Sequence, residues 1–230
     1  MSVPSAVAER RRPRPLLSQR AEQRLGPRHR EVLDELESLF LQEGFSGFSV
    51  RELAAHVGCS RRTLYELAPS KDELVLIVFD RFLHRVGRSA LESIDPTTSF
   101  ADQICSYFRG GLELQRISNV FGEALADDPA ARRLFDRHYG YVMAVVEELV
   151  ERGIAVGEFR PANPRVVAGM LAGGAQLFNQ SDVLADSGLE LTVATDELLA
   201  LVVRSLQPEP GTEPVPVSRT SGRSGARPTR

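Results

Sequence analysis

An all-α fold, with a small unit of short helices in front of a larger helical body, is what this sequence predicts, and three observations carry it. Between the polar ends, apolar residues recur every three or four positions in each long segment, the spacing of one buried helical stripe. Two Ser-x-x-Glu boxes, Ser49 to Glu52 and Ser70 to Glu73, mark helix starts. Gly44, Gly58, Pro69, Pro129 and Pro164 punctuate the pattern where helices should end or begin.

In chain order, the first thirty residues hold eight arginines against two acids. Polar and interrupted by prolines, residues 1–27 are expected to be a basic arm, disordered until it meets a partner. "RHREVLDELESLFLQEGF" then places Val32, Leu36, Leu39 and Phe40 on one stripe, with Gly44 able to close the helix. Ser49 caps a two-turn helix whose buried face is Val50, Leu53, Ala54 and Val57. Gly58 can take a positive φ, and Ser60 caps a second short helix, Arg61 to Glu66. Ser70 opens a long helix through Leu74, Val78, Phe82 and Val86.

Further helices follow. Phe100, Ile104, Phe108 and Leu112 form one stripe, and Val120 to Leu125 a short piece. Asp128 caps a helix with Pro129 at its first position, running to Gly153. Asn163-Pro164 opens "VVAGMLAGGAQLF", and "DELLALVVRSL" ends the body. The Pro-, Ser-, Thr-, Gly- and Arg-rich stretch 207–230 reads as a disordered tail. The expected organisation is an arm over 1–27, a three-helix helix-turn-helix domain over 28–72, a body over 73–206 and the tail.

Composition bounds the function. At 230 residues and 42% hydrophobic, the chain can bury a substantial core. Its longest apolar run, Val166 to Ala175, is too short to span a bilayer, so a cytoplasmic protein without a membrane partner is expected. Cys59 and Cys105 lie in different segments and suggest no disulfide framework. A formal net charge of −3 is unevenly spread: net +3 over residues 1–90, −8 over 91–206 and +2 over 207–230. A basic front on an acidic body suggests that the front meets an anion.

Two short helices joined by a glycine turn make a helix-turn-helix, whose second helix enters the major groove of double-stranded DNA. Ser60, Arg61, Arg62 and Thr63 form the exposed first turn of that helix. Arginine can reach guanine O6 and N7, and Ser and Thr can bond base edges or phosphate. The Tyr65 phenol can reach a phosphate oxygen, and Ser49 stands at a helix N-terminus, where amides attract anions. An enzyme finds little support. The histidines His29, His56, His84 and His138 are scattered along the chain, and there is no phosphate loop, dinucleotide fingerprint or nucleophile elbow, so no cofactor, metal or catalytic residue is expected.

From about Arg28 to Arg85 the chain resembles the TetR family of bacterial transcriptional regulators. The likeness rests on the Ala54-to-Gly58 turn spacing, Ser60, Thr63-Leu64-Tyr65 and Ser70-Lys71-Asp72-Glu73-Leu74. It implies phosphate contacts for Lys71, the chain's only lysine beside 27 arginines, and for Tyr65. Members usually carry His-Phe where this chain has Leu67-Ala68. It also implies a small-molecule pocket in the body, with candidates Phe108, Leu112, Phe121, His138, Tyr139, Met143, Met170 and Phe178 and with Asn179 or Gln176 as polar partners. On its own pattern, His138 reads as a partly exposed surface histidine.

Small residues in 166–178 permit close helix approach, so the last two apolar helices can either finish the monomer core or form a four-helix bundle with a second copy. The function expected is that of a ligand-responsive repressor. It binds an inverted-repeat operator as a homodimer and is released by a small apolar or amphipathic effector. An architectural or division-control DNA-binding protein without an inducer remains the alternative, and ligand-dependent release separates the two.

Overall fold

The computed structural model describes residues 11–112, 125, 127–178, 183–184 and 188–208. Helices are the only regular elements among these residues: α1 (Gln19–Arg24), α2 (Pro27–Glu43), α3 (Val50–His56), α4 (Arg61–Leu67), α5 (Lys71–Glu92), α6 (Phe100–Gly110), α7 (Pro129–Ala155), α8 (Pro164–Phe178) and α9 (Leu191–Leu206).

Local chemistry explains where they begin and end. Ser49, Ser60, Ser70, Ser99 and Asp128 each accept a hydrogen bond from a free amide in the first turn they cap. The box at α3 is reciprocal, with Glu52 accepting the Ser49 N–H at 2.8 Å, whereas at α5 it is the serine half that forms. Gly44 (φ 74°) and Gly58 (φ 56°) end α2 and turn the chain after α3 in the left-handed region. The N-terminus of α6 takes a cap from far along the chain: Glu158 accepts the amides of Phe100 and Ala101 at 2.9 and 2.8 Å. The C-terminus of α9 is covered by Arg160, whose N–H and guanidinium donate to Leu206 and Ser205 carbonyls.

Two apolar cores result. The first gathers Val32, Leu36 and Phe40 of α2, Leu53 of α3, Leu64 and Leu67 of α4 and Leu74 to Val86 of α5, and it also takes in Ala131 and Leu134 from the start of α7. The second gathers Ile104 and Phe108 of α6, Val145 to Val150 of α7, Leu171 of α8 and Leu199 and Val202 of α9. The long helix α5 runs through the first and reaches the second at Ala90. In the body, α8 packs against α7 and α9. The approach of α8 to α9 is close enough that a Cβ on Gly174 would lie 2.6 Å from Leu198 Cδ2.

One segment departs from expectation. Residues 11–25, whose composition predicts a disordered arm, lie as a strap against the helices. Ser18 caps α1, the Leu16 N–H donates to buried Asp80 at 2.7 Å, Arg81 pairs with Glu22, and Arg11 pairs with Glu147 at 3.5 Å. The strap is polar, as its composition says, but Leu16 and Glu22 anchor it through partners distant in sequence, and Pro13 is buried beside them.

Candidate nucleic-acid interface and effector cavity

Helix α4 is held by one face and exposed on the other. Leu64 and Leu67 are buried in the first core, and Ala68 packs with them, so the Leu67-Ala68 pair serves as a packing corner. Arg61, Arg62 and Ser60 are exposed, and Tyr65 is 54% exposed. The Ser60 hydroxyl accepts the Thr63 N–H at 3.1 Å and stands 2.9 Å from the Thr63 hydroxyl. Arg62 donates to Glu66 at 3.0 Å, and His29 meets the same carboxylate at 3.3 Å. Bonding from Arg62 first, then from His29, holds the Glu66 carboxyl below its usual range. An exposed i,i+4 pair of this kind is weak, so a stronger acceptor can take Arg62 from it.

Ser49 is exposed at the head of α3, and its bonds with Glu52 depress that carboxyl. Lys71, at the first position of α5, donates to the Ser46 carbonyl at 3.3 Å and so sits beside the loop leading to Ser49. The residues expected to face DNA therefore lie on α4, on the head of α3 and on the head of α5.

Arg28 plays a part that sequence did not suggest. By composition one more basic residue, it donates to the carbonyls of Val57 and Gly58 at 2.7 and 3.1 Å and pairs with Glu31 and Glu35. It ties the start of α2 to the turn between α3 and α4. No local pattern announces a guanidinium reaching a turn so far along the chain.

In the body, a cavity of 110 Å³ lies among α5, α6, α7, α8 and α9. Of the candidates named from sequence, Phe108, Leu112, His138, Tyr139 and Gln176 line it, together with Leu83, Gly87, Tyr107, Phe135 and Thr195. The other candidates sit elsewhere. Met143 packs against the second core, Met170 is 54% exposed on the outside of α8, and Phe178 is half-buried at its end. Phe121 and Asn179 lie outside the described residues.

The histidine reading needs correction. His84 and His138, distant in sequence, stack edge-to-face with centroids 4.7 Å apart, and both approach Asp80. His138 has a side chain only 11% exposed and is no surface residue. Burial pushes His84 down to about 4, against the opposing pull of the Asp80 carboxylate. Among the described residues no helix is long and apolar enough to cross a membrane.

Comparison with known proteins agrees with this geometry. The family described as bacterial regulatory proteins, tetR family, matches residues 32–78, the span of α2 to the middle of α5. The uncharacterized HTH-type transcriptional regulator YezE of Bacillus subtilis is 26% identical over 115 residues, covering 46% of this chain and 59% of that protein. YvaF of the same organism, also an HTH-type regulator, is 44% identical over 54 residues, covering 24% of this chain and 28% of its own length. The matches thus span less than two thirds of either relative.

Among solved structures, a TetR transcription regulator from Haloarcula marismortui superimposes with a TM-score of 0.66 at 17% identity, over 79% of this chain and 98% of that one. Reduced NemR of E. coli gives 0.63 at 18%, over 79% and 100%. The triclosan complex of SmeT, a Stenotrophomonas maltophilia repressor, gives 0.60 at 17%, over 83% and 100%. At such identities the structural likeness is one of fold. Residues 32–78 thus match the tetR family of bacterial regulatory proteins in sequence, and the chain shares its fold with these solved regulators.

Proposed function

We propose that this chain is a ligand-responsive transcriptional repressor that binds an inverted-repeat operator as a homodimer. The observation that carries the reading is the two-sided character of α4, anchored by Leu64 and Leu67 while Arg61, Arg62 and Tyr65 face outward. Ser49, Ser60, Thr63 and Lys71 supply the flanking phosphate and base-edge contacts.

The dimer is supported by apolar residues left exposed on α8 and α9: Val166, Met170 and Leu177 fall on one stripe of α8, and Val193 and Leu201 are exposed on α9. The response is supported by α5, which carries Lys71 at its head and Leu83 and Gly87 in the cavity wall. Lys71 and Leu83 are about 18 Å apart along a rigid helix. A compact apolar or amphipathic effector, oriented by Gln176, Thr195 or Tyr139, would favour one setting of α5. It would loosen DNA by its differential affinity, typically about 1–3 kcal/mol.

Fragments of the host genome selected by the protein, followed by footprinting, test the proposal. Protection should show two-fold symmetry, with half-site centres about 10–10.5 bp or a multiple apart. Protection without repeat symmetry refutes the dimeric reading, and an operator complex indifferent to every bound effector refutes the response.

A further inference from the structure

We propose that Asp80 and His84 of α5 and His138 of α7 form a binding site for a divalent first-row transition cation such as Zn²⁺. Their ligand atoms lie within 4.8 Å of one another. Asp80 Oδ1 stands 3.7 Å from His84 Nε2 and 3.6 Å from His138 Nε2. Asp80 is 1% exposed, and all three atoms are buried without a hydrogen-bond partner among the described residues.

Converging acceptors of this kind have two ordinary explanations, and distance disfavours one. If each imidazole donated an Nε2–H to the carboxylate, the separations would be about 2.7–3.2 Å, and they are longer. If instead the three lone pairs surround an ion at about 2.0–2.2 Å, a tetrahedral set would place them about 3.3 Å apart. Closing the two Asp80 pairs on the ion then takes a few tenths of an ångström, and the two imidazole nitrogens, within 4.8 Å of each other, close by side-chain rotation. The second oxygen of Asp80 accepts the Leu16 N–H at 2.7 Å, which fixes the carboxylate's orientation as supporting bonds do around bound metals.

The donor set also selects the class of ion. Two imidazoles and one carboxylate suit zinc, nickel, cobalt or copper, whereas calcium and magnesium require oxygen ligands. Arg12 and Arg88 stand near enough to His84 to act on its charge, so the affinity must come from the imidazole bonds rather than from an excess of negative charge. Three protein ligands leave a fourth tetrahedral position for water. His138 borders the body cavity, so a ligand there has access to that side of the site. The ion would clamp α5 to α7, the two helices that carry the first core into the body.

The untagged full chain, stripped with a chelator and titrated with Zn²⁺ alone and Co²⁺ alone, tests this. One ion per chain is expected, with the visible absorption of low-symmetry Co²⁺. His84→Gln and His138→Gln should each weaken binding by more than about tenfold, while Cys59→Ser leaves it unchanged. Absence of stoichiometric binding, or affinity retained in both histidine variants, overturns the site. X-ray absorption of the Zn²⁺-loaded wild-type chain decides the matter even if a variant fails to fold: two imidazoles with oxygen support it, and a thiolate or an all-oxygen shell overturns it.

Discussion

At the scale of single residues, the side chains that matter most divide into those that act by type and those that act by place. On the proposed phosphate contact, Lys71 acts by type: its replacement by Ala should weaken binding to all DNA sequences alike and flatten the dependence of log K on log salt by about one unit. Arg61→Ala and Arg62→Ala should instead relax preference at particular base pairs, at about 1–3 kcal/mol for each guanidinium that pairs bidentately with a base. Competition binding with single-base operator variants separates the two patterns, and an unchanged base preference in both arginine variants removes them from readout. Gly153 acts by place. A Cβ there would run into the ring of Phe159, itself buried at 3% exposure. Gly153→Ala should therefore cost about 1–3 kcal/mol, read as a lower denaturant midpoint. The exposure of Ser60, Arg61, Arg62 and Tyr65 was legible, because they begin at the cap of α4 and alternate with the buried Leu64 and Leu67. Arg28, Gly153 and the Asp80–His84–His138 group were not, since each depends on a neighbour supplied by the fold.

Among elements, the helices were legible and the strap was not. Caps and apolar stripes are local signals, so α2 to α5 stand where Ser49, Ser60, Ser70 and Gly44 mark them. Losing one such cap, as in Ser70→Ala, should cost about 1 kcal/mol of stability. The strap depends on an amide of Leu16 finding a carboxylate on α5, which composition cannot reveal. Two truncations separate its roles. Removing residues 1–10 keeps the strap contacts from Arg11 onward and serves as the reference. Removing 1–17 strips Asp80 of its donor and should cost about 1–3 kcal/mol as well as weakening DNA binding at low salt. Equal stability of the two truncated chains, measured by denaturant unfolding, would reduce the strap to a passive leader.

For the whole molecule, the exposed stripe of α8 and the outward side chains of α9 set the assembly expected. Met170→Glu with Leu201→Glu puts charge on both faces, at positions 54% and 64% exposed in the single chain. Sedimentation should show monomers at concentrations where the wild-type chain is paired, with operator affinity falling accordingly; an unchanged mass would place the dimer elsewhere. The division into a basic front and an acidic body was legible from charge. The seam between them was not, because the first core borrows Ala131 and Leu134 from α7. That loan constrains how the molecule can be recombined. A graft that exchanges the front helices for others, cut anywhere between α4 and the end of α5, leaves those two side chains facing a surface they were not shaped against. Exchange of specificity between relatives must therefore carry the first turns of α7 along with the front, although the two pieces are far apart in the gene.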